Sequence, residues 1–77
     1  MLRDIDYAAV AVKAAIVEKF GRKHELQNLR VTANEKTISV EDEGRVAEGT
    51  RDALLAATRK ANDYEQLWKL MPQDGKP

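Results

Sequence analysis

The sequence predicts an α+β fold: a two-layer sandwich in the order helix, β-hairpin, helix, closed by a short C-terminal helix or strand. Three observations carry this expectation. Apolar residues recur at three- and four-residue steps in the first twenty residues and again from Ala53 to Tyr64, which is the helical period. Between them, from Leu29 to Val40, the period changes to two, that of a strand with one buried face. A length of 77 residues allows one domain, with helices laid on one face of a small antiparallel sheet. That domain is expected over residues 1–72, with residues 73–77 as a flexible polar tail.

The first helix is expected from Asp4 to Phe20. Ile5, Ala8, Ala9, Val12, Ala15, Ile16 and Phe20 form one broad apolar stripe, as in a helix with a core-facing side. Asp4 and Asp6 lie in the first turn, where the helix dipole favours anions. Gly21 follows the stripe and suits a left-handed C-cap. Val10 and Val17 stand off the stripe, seven residues apart. The helix is thus apolar on more than one face, and the expectation is cover on two sides, by the sheet and by another helix or subunit. Residues 22–28 are a polar connection anchored by Leu26.

In the hairpin, Leu29, Val31 and Ala33 alternate with Arg30 and Thr32, and Ile38 and Val40 alternate with Thr37 and Ser39. The turn falls at Asn34-Glu35-Lys36, where Asn34 tolerates positive φ. Glu41 to Gly44 reads as a second turn, and Arg45-Val46-Ala47 either adds a short strand or leads into the next helix. That helix is expected from a Thr50 N-cap to about Ala61, with Ala53, Leu54, Ala57, Ala61 and Tyr64 on its stripe and Leu55 off it. Asn62-Asp63 is a break or a kink. Tyr64, Leu67, Trp68 and Met71 then fit a helical face, with Glu65 and Lys69 at favourable i,i+4 spacing; a final strand is the alternative. Pro72 ends the segment.

Composition narrows the function. Thirteen basic residues balance thirteen acidic ones, which excludes a general electrostatic attraction to nucleic acid or anionic lipid and leaves little repulsion between copies. No cysteine is present to staple the fold. The apolar share is 43%, but eleven of those residues are alanine. Since a core of fewer than ~80 residues rarely supplies more than ~3–5 kcal/mol, a second copy or a partner is expected to complete this one. The N-terminal residues show no apolar segment of the signal-peptide kind, and no apolar run approaches the ~18 residues of a span. The cytoplasm is the expected location.

No catalytic constellation is visible, and no enzyme activity, cofactor or metal is expected. A nucleophile needs a base within reach and a group to orient that base, and the one histidine, His24, lies in the polar connection and reads as a surface residue. The run Glu41-Asp42-Glu43 lacks the spacing of a calcium loop and reads as a solvated turn. Glu48 and Asp52 have ordinary helix-surface spacing, and the four glycines form no phosphate-binding loop.

The candidate binding residues fall into two sets. Tyr64, Leu67, Trp68 and Met71 gather aromatic and Met side chains in eight residues. They either wall a small core or, with Val10 and Val17, form a surface that docks a protein partner or a second copy as a homodimer, since Trp and Met are enriched at interfaces. The alternative is a nucleic-acid-binding module using Arg22, Lys23, Arg30 and Lys36, although no strand carries an aromatic residue on which a base could stack.

The segment Leu29-Arg-Val-Thr-Ala-Asn-Glu-Lys-Thr-Ile-Ser-Val40, followed by Gly44-Arg-Val46, resembles the central strands of a BON domain, and Val12 to Ile16 resembles that family's first helix. Val31, Ile38, Val40 and Gly44 match its alternation. The resemblance implies a helix, two strands, a second helix and a final strand, and a membrane-associated or ligand-binding module of the bacterial envelope, without catalytic residues. The chain departs from the pattern in lacking a glycine near Lys36, in Asp42-Glu43 before Gly44, and in Asp63-Tyr64 where the family has Gly-Val. The same element order also resembles small phage head-completion proteins.

Overall fold

The computed structural model describes residues 2–72, so the expected tail lies outside the described residues. Three helices and three strands follow in the order α1 (Asp4–Phe20), β1 (Arg30–Ala33), β2 (Ile38–Asp42), β3 (Arg45–Gly49), α2 (Arg51–Lys60) and α3 (Tyr64–Leu70). The strands form an antiparallel meander, β1-β2-β3, with the helices against one face.

The core stripe of α1 behaves as its period dictates: Ala9, Val12, Ile16 and Phe20 are buried. Its N-terminus is held by Asp6, whose carboxylate accepts the Arg3 backbone N–H at 2.8 Å and its guanidinium at 3.2 Å. The expected left-handed cap at Gly21 is not made. Gly21 has φ −65°, and the chain turns on with the Lys23 and His24 amides both donating to the Phe20 carbonyl. Space is what a side chain at position 21 lacks, because a Cβ there would sit 2.5 Å from the Val17 carbonyl oxygen.

The hairpin register pairs Val31 with Val40 and Ala33 with Ile38, which puts the apolar alternates on one face. The second turn is shorter than expected. Only Glu43 (φ 51°) and Gly44 (φ 85°) make it, with positive φ at both positions as in a two-residue type I′ hairpin. Glu41 and Asp42 therefore belong to β2, and residues 45–49 form a full strand, with Val40 opposite Ala47 and Asp42 opposite Arg45. The free side of β3 is met by the chain itself, since the Glu48 N–H donates to the Pro72 carbonyl at 3.1 Å.

Thr50 caps α2 by accepting the Ala53 N–H at 3.1 Å. Leu54, Ala57 and Thr58 are its buried residues; Ala53, expected on the stripe, is exposed. Thr58 is tolerated inside because its hydroxyl donates to the Leu54 carbonyl at 2.8 Å. At the other end of α2, the Lys19 ammonium donates to the carbonyls of Thr58 and Arg59, 2.8 Å each, which satisfies orphan carbonyls with a favourable charge. Residues 64–70 are a helix, not a strand. Asp63 caps it by accepting the Gln66 N–H at 2.8 Å, and the Gln66 side chain accepts the Asn62 N–H in return. Where the BON resemblance implies a closing strand, the chain has α3. No described helix is long and apolar enough to cross a membrane.

Candidate functional site

The sheet's inward face continues past its apolar residues. Ile38, Val40 and Asp42 alternate on β2 and all three are buried, so Asp42 is carried inward by the strand and is only 5% exposed. The solvated-turn reading is thereby corrected. Its carboxylate is satisfied by the Tyr64 hydroxyl, which donates to it at 2.6 Å. Burial, and next this hydrogen bond, push the Tyr64 phenol up to about 12. A phenol held that high keeps its proton near neutral pH and stays a donor to Asp42. Arg45, across from Asp42, lies 4.7 Å from the Trp68 ring centre and 5.6 Å from that of Tyr64, an arrangement stabilised by the ring quadrupole. It also pairs with Glu65 at 3.0 Å. His24, expected on the surface, is half-buried, its ring 5.2 Å from that of Tyr64.

Of the two readings of the C-terminal segment, the core wall is the one the fold makes. Tyr64, Leu67, Trp68 and Met71 are all buried within the chain; they are the third wall of its core and present no surface. The other half of the expected docking set is exposed. Val10 is 62% exposed and Val17 42%, and Tyr7, on the same side of α1, is 60% exposed. Beside them runs a shallow groove of about 330 Å³ lined by Ala9, Val10, Lys13, Ala14, Val17 and Val31. It lies where α1 crosses β1, and Lys13 is its one charged wall. A second concavity of about 310 Å³, lined by Gln27, Asn28, Arg30, Glu41 and Glu43 among others, is polar and has Arg30 facing Glu41 across the strands at 4.0 Å.

The basic set is not gathered. Arg30 opens β1 and faces Glu41, Lys36 lies in the turn beyond the other end of that strand, and Arg22 and Lys23 follow α1. Glu48 and Asp52 do not form a pair either: Glu48 accepts from Thr37 and Asn34 on the outer sheet face, and Asp52 from Arg51. Among the described residues no group of three or more His, Cys, Asp or Glu could hold a metal ion. Asp42 and Arg45 were missed by sequence reasoning; the signal for Asp42 was the period of two running on from Ile38 and Val40. In comparisons with known proteins, no family model, curated protein or solved structure matches the chain.

Proposed function

We propose that the chain is a small non-enzymatic interaction module that self-associates through the outer face of α1. The observation that supports this most is the exposure of Val10 and Val17 beside an apolar groove. Full burial of an aliphatic side chain is worth ~1.5–3 kcal/mol, so covering two valines and the Tyr7 ring is a sizeable gain for a domain of this size. Zero net charge sets no general repulsion against it.

Light scattering on the eluting protein tests the reading. The mass should rise from 8.7 kDa towards twice that value with concentration, and the Val10→Asp/Val17→Asp double variant should stay at the lower mass with an unchanged circular dichroism spectrum. A wild-type chain that stays monomeric at high micromolar concentration overturns the reading. So does a low-salt, salt-sensitive mobility shift of RNA or DNA in that monomeric protein, which would favour the nucleic-acid alternative.

A further inference from the structure

We propose that the occupant of this face is the α1 of a second copy, laid antiparallel with the two-fold axis at Ala14. The inference rests on the reading that the outer face of α1 makes the chain self-associate. Tyr7, Val10, Ala14, Val17 and Gly21 follow one another at steps of three, four, three and four, the spacing of helices that pack along a seam. Ala9, Val12, Ile16 and Phe20 turn another side of α1 into the core, and the seam runs along the exposed flank of α1 beside β1, where Val10, Ala14 and Val17 line the groove with Val31.

Reversed on itself about Ala14, the seam is complementary in size. Tyr7 of one copy comes level with Gly21 of the other, Val10 lies within one residue's rise (~1.5 Å) of Val17, and Ala14 meets Ala14, where two small side chains let the backbones approach. Charge agrees with the same direction. Asp6 in the first turn is already paired with Arg3 at 3.2 Å, so Asp4 is the carboxylate that meets Arg22 and Lys23 at the far end of the other α1, and antiparallel helix dipoles attract. A parallel pair would set tyrosine on tyrosine, leave a gap at the glycines and bring the acidic turns together. Lys13 repeats near the axis, and its four-carbon stem carries the ammonium out to water.

Single thiols in this cysteine-free chain test the arrangement. Ala14→Cys places two thiols near the axis and should give a disulfide-linked dimer under mild oxidation, at concentrations where the wild type is associated. Tyr7→Cys separates its two thiols by about fourteen helical residues, or ~21 Å, and should remain uncrosslinked. Crosslinking of Tyr7→Cys means parallel helices and overturns the inference. If the mass still doubles but Ala14→Cys does not link, the second copy sits elsewhere; that result overturns the inference and leaves self-association standing. Both substituted positions are exposed, and circular dichroism of each variant checks that the fold persists.

Discussion

Residues 64–71 and the outer face of α1 both carry apolar side chains at helical spacing, yet Trp68 is 5% exposed and Val10 is 62% exposed. The difference lies in how many apolar faces each helix carries. In residues 64–71 the bulky positions 64, 67, 68 and 71 share one face, so a single docking event inside the chain buries those four and leaves Leu70, off the face, as the segment's one exposed large apolar side chain, at 38%. α1 carries two faces, and one body can cover only one. Surplus apolar periodicity, more than aromatic density, marks what the chain leaves uncovered.

Substitutions at the two regions should therefore separate stability from association. Trp68→Ala is expected to be the most damaging, at ~3–5 kcal/mol for a large buried side chain, comparable with the whole stability of a domain this small. Urea unfolding should find it largely unfolded in dilute buffer. Tyr64→Phe should cost ~1–3 kcal/mol, because the buried Asp42 carboxylate loses its donor. Alkaline pH sharpens the same point. The phenol is held at about 12 against ~10 in an unfolded chain, so the fold favours the neutral form. Its contribution is complete below pH ~10 and is lost as pH rises through ~10–12. Urea midpoints measured across that window should fall for the wild type, and the part of the fall due to Tyr64 should be missing in Tyr64→Phe. Asp63→Ala removes the cap of α3 and should cost ~1 kcal/mol. Val10→Asp should change the stability of the single chain least, by no more than ~0.5 kcal/mol at an exposed position, while removing association.

The bounds of α1, the hairpin and the Thr50 cap were legible because each rests on local chemistry: a period, an alternation, a hydroxyl before a helix. β3 was not. Its inward positions are Arg45, Ala47 and Gly49, which give no apolar alternation, and the strand exists because the Glu43-Gly44 turn sends the chain back along β2. Asp42 was hidden by its acidic neighbours, since nothing local reveals that Tyr64, twenty-two residues on, supplies its donor. In the docking set, Val10 and Val17 were readable as lying off the core stripe. The burial of Trp68 was legible only as one of two readings, because Arg45, whose guanidinium lies over its ring, comes from β3, a distant part of the chain.

The most direct test follows mass and Trp68 fluorescence together through one dilution series of the full chain. The account predicts that the mass falls from about twice 8.7 kDa to 8.7 kDa while the emission stays that of a buried indole, since the aromatic segment is covered by its own chain and only the α1 face is uncovered. A red shift of Trp68 in step with dissociation, or a mass that never leaves the monomer value, would contradict it.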